Sequence, residues 1–144
     1  MSEDWTEITA AWKGEMTFFG QNSAGGSVQM GGSNNMPGIN PMQLLLVALA
    51  GCTGMDIVSI LQKKRLNLTD IQVKVRGLRS SNYPMVWTDI EVIYSLWGEK
   101  LKTKDVEQAI RLSEDKYCSV RAMLDKTTKI TSTYQVYPPG EKAS

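Results

Sequence analysis

A long apolar segment dominates the pattern of the chain. It begins at Asn40-Pro41, where a proline suits the first turn of a helix, and no further proline appears until Pro84. It ends in the cluster Gln62-Lys63-Lys64-Arg65, whose cations suit the negative end of a helix dipole. These signals predict a helix over residues 41–64, which would span roughly 36 Å.

The first half of this helix is apolar on nearly every side. From Met42 to Met55 the pattern is typical of a buried helix or a membrane span. Gln43, Asp56 and the short length of the apolar run argue against a membrane. Since a chain of this size rarely buries both faces of one helix, we expect a sheet on one face and a second subunit on the other. The pattern therefore predicts a homodimer.

Alternating apolar and polar residues predict strands on both sides of the helix. Residues 1–38 are expected to hold two short strands within Trp5–Thr17, joined near Lys13-Gly14, and then a glycine-rich stretch of loops around one short strand. Two half-buried strands are predicted within residues 68–97, with a turn around Ser80 to Pro84 between them.

The C-terminal part is predicted to add helices and a last strand. Helices are expected within residues 103–124, with Thr103 as the first cap, followed by a strand over residues 129–137. One face of the first helix consists of Val106, Ala109, Ile110 and Ser113. The order of strands, long helix, strands, helices and strand predicts an α+β fold with an antiparallel sheet, in a single domain over residues 1–144.

Composition and charge exclude several classes of function. The chain has 144 residues, 42% of them hydrophobic, and a formal net charge of +1, which is too small to favour nucleic acid or an acidic membrane surface. The sequence has no phosphate-binding glycine motif and no metal-ligand cluster, so neither a cofactor nor a metal is expected. The acidic, polar N-terminus does not resemble a signal peptide, which predicts a cytoplasmic protein.

Two cysteines stand out in a chain with no histidine. Cys52 lies in the apolar helix, and Cys118 follows the next predicted helix. Without histidine a Ser/His/Asp or Cys/His nucleophilic site cannot be built, so thiol redox chemistry is the main option left. The alternative is that both are core cysteines, with Ala50–Gly54 a strip of small residues where helices cross closely, since free cysteine is among the most buried residue types.

The segments around both cysteines resemble the OsmC/Ohr family of thiol-dependent peroxide reductases. The resemblance rests on PMQLLLVALAGCTGMDIVSILQKKR, on the strands after it, and on AIRLSEDKYCSVRAML followed by a strand, and it covers roughly residues 37–137. It implies an intertwined homodimer in which two long central helices are wrapped by sheets from both chains. It also implies that Cys52 attacks an organic hydroperoxide, that Cys118 resolves the product as a disulfide, and that a dithiol is the reductant.

The sequence departs from the family pattern in its charged residues. Peroxide reductases of this family use an arginine before the long helix, held by a glutamate near the start of that helix. Here no arginine precedes Arg65, and Met42 stands where the glutamate is expected. The segment in which the arginine is expected offers Ser27, Gly31, Gly32, Ser33 and Asn34. The residues that could instead supply a cation to Cys52 are Lys13, Lys116 and Arg121.

Three functions stay open at this point. The first is a peroxide reductase that accepts an apolar hydroperoxide in a pocket around Cys52, lined by Met42, Leu45, Leu49 and Met55. The second is a reaction with disulfides, persulfides or carrier-bound thiols through the same two cysteines. The third is a non-enzymatic dimer or small-ligand binder that keeps the fold without the activating charges.

Overall fold

The elements follow the predicted order of strands, long helix, strands, helices and strand. The computed structural model describes residues 4–33 and 37–143, and Asn34, one of the positions compared with the family arginine, lies outside them. The chain divides into two compact units, Met1–Leu45 and Leu46–Ser144, where the sequence predicted a single domain. The division agrees with the strand pairing, because each sheet is formed by strands of one unit.

The first unit carries an antiparallel sheet of short strands. In order along the sheet they are β1 (Ile8–Trp12), β2 (Phe18–Asn22) and β3 (Ser27–Met30). The second strand was predicted to end at Thr17 but begins after it, because Lys13 to Thr17 form the turn. In that turn the Lys13 N–H donates to the Thr17 carbonyl at 2.8 Å, and Gly14 adopts a φ of 102°, which favours glycine.

Helix α1 (Pro41–Lys63) has clear signals at both ends. At its start the Gln43 N–H donates to Asn40 Oδ1 at 2.8 Å, and the Asn40 N–H donates to Gln43 Oε1 at 3.0 Å, as in a capping box. Beyond its end Arg65 adopts a left-handed φ of 58°, a conformation that stops a helix. The helix therefore ends one residue before the predicted position.

Helix α1 buries a single stripe of side chains. The stripe consists of Leu49, Thr53, Ile57 and Leu61, which are fully buried and spaced four residues apart. On other sides of the helix Val47 is 47% exposed and Met55 is 76% exposed. By length and composition alone α1 could cross a membrane, a test that the core helix of a soluble protein also passes. A second subunit over the exposed apolar side stays a prediction, as does the cytoplasmic location.

The second unit is built on a mixed sheet. Its strands, in order, are β4 (Leu68–Arg79), β5 (Trp87–Gly98) and β6 (Lys129–Tyr137). The first two are antiparallel, but β6 pairs parallel with β5, so the predicted antiparallel sheet was wrong for its last strand. The physical reason is the connection between β5 and β6, which contains helical segments and is long enough to return the chain to the start of β5, as parallel pairing requires.

The helical segments of this connection differ from the prediction at their start. They are α2 (Thr103–Leu112), a π-helical turn (Ser113–Tyr117) and α3 (Ser119–Leu124). Thr103 was predicted to cap α2, but the cap is Lys102, whose carbonyl accepts the N–H groups of Asp105 and Val106. Thr103 is thus already helical, and its side chain makes no cap.

The core of the second unit is drawn from β5, the buried stripe of α1 and one face of α2. The buried residues of β5 include the alternating set Ile90, Val92, Tyr94 and Leu96. The predicted face of the following helix, Val106, Ala109, Ile110 and Ser113, is buried as well. The prediction for that face is therefore confirmed.

Replacing Leu49 with alanine is expected to lower the free energy of unfolding by about 2–5 kcal/mol, because this fully buried side chain would leave a cavity. The matched control is Leu78→Ala in β4, whose side chain is 67% exposed and whose loss should cost less than about 0.5 kcal/mol. Urea unfolding of both variants measures the difference. Equal losses would contradict the assigned core.

Candidate active site

Two free cysteines lie near each other in the second unit. Cys52 lies on α1 and is partly exposed, whereas Cys118 is 3% exposed and lies between the π-helical turn and α3. Cys52 is close enough to influence the ionisation of the Cys118 thiol. The fold thus brings two thiols from distant parts of the sequence into one region, without a disulfide between them.

A hydrogen bond between α1 and the π-helical turn joins the two segments that carry the cysteines. Asp56 lies one helical turn beyond Cys52 on the same side of α1, and its Oδ2 accepts a hydrogen bond from Ser113 Oγ at 2.9 Å. The Ser113 carbonyl in turn accepts the Cys118 N–H at 2.7 Å. Through these two bonds Ser113, which is fully buried, links the helix that carries Cys52 to the backbone of Cys118.

The surroundings of Cys118 favour the protonated thiol. Burial raises the pKa of Cys118 from 9.0 to about 12, and the neighbouring Cys52 and the charge of Asp56 act in the same direction. The Arg121 backbone N–H donates to Cys118 Sγ at 3.3 Å and opposes this rise. Cys118 is therefore a thiol at neutral pH, and Cys52 is the more exposed of the two sulfurs.

A partly buried ion pair joins the segments before and after Cys118. Glu114 in the π-helical turn and Arg121 in α3 approach to 3.5 Å between Oε2 and Nη1, with side chains 13% and 16% exposed. Arg121 Nη2 also lies 3.5 Å from the Ile130 carbonyl, to which it donates. Arg121 was a predicted source of positive charge for Cys52, but its guanidinium is paired with Glu114. Its hydrogen bond to the thiol pair comes from the backbone.

Tyr94 connects the ion pair to the sheet. Its hydroxyl donates to Glu114 Oε2 at 2.8 Å, and the residue is fully buried on β5. Burial, the charge of Glu114 and the hydrogen bond to it raise the pKa of Tyr94 well above its usual value. The nearby Thr53 side chain and the charge of Arg121 act in the opposite direction. The Thr53 hydroxyl itself donates to the Leu49 carbonyl of α1 at 3.1 Å.

The two lysines predicted as cation sources lie in different elements of the chain. Lys116 is exposed at the end of the π-helical turn, and its Nζ lies 5.3 Å from the centre of the Tyr117 ring. This contact holds the ammonium at the surface beside Tyr117. Lys13 is exposed in the turn between β1 and β2, within the first unit.

The four residues predicted to line a pocket around Cys52 occupy different parts of α1. Leu49 is fully buried in the core and Met55 is 76% exposed, because six positions along a helix turn a side chain to a different face. Met42 and Leu45 lie in the first turns of α1, in the first unit. A pocket that these residues line together stays a prediction.

Two cavities of the second unit border α1. The first, called the apolar groove here, has a volume of about 650 Å³ and is lined by residues of α1 and β4 that include Val47, Gly51, Gly54, Met55, Val58, Ile71 and Val73. The second has a volume of about 350 Å³ and is lined by Asp56, Ser59, Ile60, Lys63, Lys64, Leu112 and Tyr117. Asp56, whose charge acts on Cys118, therefore borders the second cavity. In residues 4–33 and 37–143 no group of three or more His, Cys, Asp or Glu side chains could hold a metal ion.

Sequence reasoning did not identify Tyr94, Ser113 or Glu114 as residues of the site. Ser113 was assigned to the apolar face of a helix and Tyr94 to an alternating strand, and both are buried there. A hydroxyl at a position predicted to be buried was the available signal, since buried polar groups need hydrogen-bond partners. The identity of those partners depends on the tertiary structure.

The stability of the fold is expected to depend on the Cys118 proton at alkaline pH. The folded protein holds this proton to a higher pH than the unfolded chain, because the pKa of Cys118 is raised. This stabilisation is complete below about pH 9 and is lost as the pH rises towards about 12. Urea unfolding under a reductant measures this effect. Between pH 8 and pH 10.5, the free energy of unfolding should fall by about 1–2 kcal/mol less in Cys118→Ala than in the parent chain. An equal loss in both proteins would contradict the assigned surroundings.

The chain is similar to known proteins over most of its length. The family model for OsmC-like protein matches residues 31–133. Protein YhfA of Escherichia coli (strain K12) is 38% identical over 125 residues, which are 87% of this chain and 93% of the relative. A hypothetical protein from Aquifex aeolicus VF5, known from a crystal structure, is 35% identical, with a TM-score of 0.84 over 97% of this chain and 100% of its own.

More distant structures share the fold. The organic hydroperoxide resistance protein OhrB of Bacillus subtilis has a TM-score of 0.61 over 92% of this chain and 98% of its own, at 14% identity. The predicted α+β fold of OsmC-like type is confirmed by these matches. The chain belongs to the OsmC-like family, which includes redox proteins of organic hydroperoxide resistance.

Proposed function

We propose that this chain is a thiol-dependent peroxide reductase in which Cys52 attacks the peroxide and Cys118 resolves the product. The observation that carries the proposal is a pair of neighbouring free thiols, one partly exposed and the other buried. An attacking cysteine must meet its substrate, whereas a resolving cysteine needs to meet only the oxidised partner. Membership of a family that includes organic hydroperoxide resistance proteins supports the same assignment.

The proposed cycle consists of attack on the peroxide, disulfide formation and reduction. The Cys52 thiolate attacks one peroxide oxygen, the O–O bond breaks, and the alcohol leaves after taking up a proton, so that Cys52 becomes a sulfenic acid. The Cys118 sulfur then attacks the Cys52 sulfur, and the Cys118 proton leaves with the hydroxide as water. An external dithiol reduces the resulting disulfide by thiol exchange. No cofactor takes part.

Neutral organic hydroperoxides with an apolar group are the proposed substrates. The Asp56 carboxylate lies one helical turn from Cys52 and would repel an anionic peroxide. The guanidinium of Arg121, which could otherwise attract an anion, is paired with Glu114. The residues of α1 next to Cys52, Gly51 and Thr53, carry no charge.

Mixing the reduced protein with cumene hydroperoxide is expected to remove both free thiols of each chain, because the sulfenic acid at Cys52 condenses with Cys118. In Cys118→Ser one thiol should be lost and no disulfide should form. In Cys52→Ser the remaining buried thiol should react far more slowly. Counting free thiols over time after denaturation, with intact mass to distinguish sulfenic acid from disulfide, measures all three. Equal rates in Cys52→Ser and the parent chain would contradict the assignment.

Exchange with disulfides or persulfides through the same cysteines is the second candidate function. The pairing of Arg121 with Glu114 favours it, because a carboxylate already offsets the charge of the guanidinium that could attract a peroxide. Slow loss of thiols with cumene hydroperoxide and rapid loss with a small disulfide would select this function. Thiols that are inert to both reagents would select the non-enzymatic, ligand-binding dimer.

We also propose that two copies of the chain form a homodimer through the apolar groove. Val47 and Met55 at this groove are exposed in the single chain, and a side chain built on Gly51 would meet open space. A second long helix laid in the groove would bury these apolar sides, which a soluble monomer seldom leaves exposed.

Val58→Arg in the apolar groove is expected to convert the dimer to a monomer, since the interface would have to bury an unpaired charge. The control is Met123→Arg on α3, whose side chain is 79% exposed and lies outside the groove. Sedimentation velocity at micromolar concentration gives the oligomeric state of each protein. A monomeric parent chain would rule out this interface.

A further inference from the structure

We propose that the second cavity beside α1 binds a monocarboxylate with an apolar or aromatic body. The cavity has a volume of about 350 Å³, which is within the range of sites for small molecules. It lies within the second unit, between α1 and the last part of α2 with the π-helical turn. The inference goes beyond the proposed function, since the binding that it describes needs neither cysteine.

The walls of the cavity supply an apolar surface. Ile60 of α1 and Leu112 of α2 are half-buried there, and Tyr117 of the π-helical turn borders the cavity as well. Tyr117 is 50% exposed, so its ring is accessible to a ligand. Because these side chains lie on facing elements, an apolar or aromatic body between them would lose contact with water on two sides.

Lys63 supplies the charge that a carboxylate would meet. Its ammonium group makes no hydrogen bond or ion pair with the residues that the structure describes. The neighbouring Lys64 is different, because its Nζ lies 3.4 Å from Asp105 Oδ1. Ser59 borders the cavity one turn before Lys63, and its hydroxyl likewise has no bond within the described part of the chain. An ammonium and a hydroxyl that are not already bonded are suitable donors to a carboxylate.

Asp56 limits the ligand to a single negative charge. Its carboxylate borders the cavity seven residues before Lys63, which is roughly 10 Å along the helix. A dianion such as a phosphate ester would meet only one unpaired ammonium and would be repelled by this carboxylate. A carboxylate at Lys63 instead leaves an uncharged body to extend towards Asp56.

The cavity and the apolar groove lie on different sides of α1. Lys63 projects about 140° away from Val58 of the groove, since successive residues of a helix are about 100° apart, although Ser59 borders both cavities. A second helix laid in the groove would therefore leave the Lys63 side of α1 uncovered. Since Asp56 is one helical turn from Cys52, a ligand in this cavity would lie beside the candidate active site.

The carboxylate 4-phenylbutyrate and the alcohol 4-phenylbutan-1-ol share an apolar body and differ in charge. Titrating each into the reduced, ¹⁵N-labelled protein should shift the amide signals of Ile60, Leu112 and Tyr117, with the carboxylate binding about fivefold more tightly. In Lys63→Met this preference should disappear, because methionine keeps an apolar chain of similar length without the charge. Lys126→Met removes an exposed lysine that does not line the cavity, and as the control it should retain the preference.

Tyr117→Ala tests the apolar wall separately from the charge. Both probes should bind about threefold more weakly or worse, and the preference for the carboxylate should remain. Equal affinities of the two probes for the parent chain would overturn the inference, as would a preference that survives in Lys63→Met or affinities that do not change in Tyr117→Ala. Shifts confined to other parts of the protein, or binding that does not saturate, would overturn it too.

Circular dichroism establishes that each variant is folded. Because no peroxide is used, the result is independent of the thiol-counting assay. Carboxylate binding in a protein whose thiols do not react with peroxide would leave this inference standing and refute the proposed function.

Discussion

Ser113 makes the two bonds on which the geometry of the thiol pair depends. Its hydroxyl donates to Asp56 on α1, and its carbonyl accepts the Cys118 N–H. The second bond joins residues five apart, which is the π-helical spacing, whereas an α-helix would join the Cys118 N–H to the residue four before it. The extra residue shifts the angular position of the residues after it by about 100° around the helix axis. The π-helical turn thus changes the side of the helix from which Cys118 leaves it.

The partly buried ion pair near Cys118 connects the segments on either side of this residue. Glu114 accepts the Tyr94 hydroxyl and faces Arg121, and these side chains lie on three different elements. Loss of either charged partner would leave the other charge without compensation. The pair joins the π-helical turn to α3, so that the Cys118 backbone lies between two linked segments.

The elements were largely predictable from local patterns, but their pairing was not. Proline, the basic cluster and the apolar run mark α1 to within one residue of its end. The direction of β6 depends instead on how far the preceding helical connection carries the chain, which no pattern inside the strand records. The sequence did not distinguish the buried Leu49 from the exposed Met55 for a related reason. A helix that is apolar on nearly every side does not reveal which side faces the core.

The site was predictable only as far as its two cysteines. Both were found from their chemistry and from the resemblance, whereas the Ser113–Asp56 bond joins segments far apart in sequence. Arg121 was considered for its side chain, yet it contacts Cys118 through its backbone N–H. Every residue except proline carries that group, so its place in a site depends on local conformation and not on residue type.

In the proposed cycle the Cys118 proton is needed only at the second step. The buried Cys118 thiol is too poor a nucleophile to react first with the peroxide. Once Cys52 has become a sulfenic acid, the hydroxide that must leave requires a proton, and the Cys118 proton can leave with it as water. A fixed cation could supply neither this proton nor the resolving sulfur, so the second step depends on a neighbouring thiol.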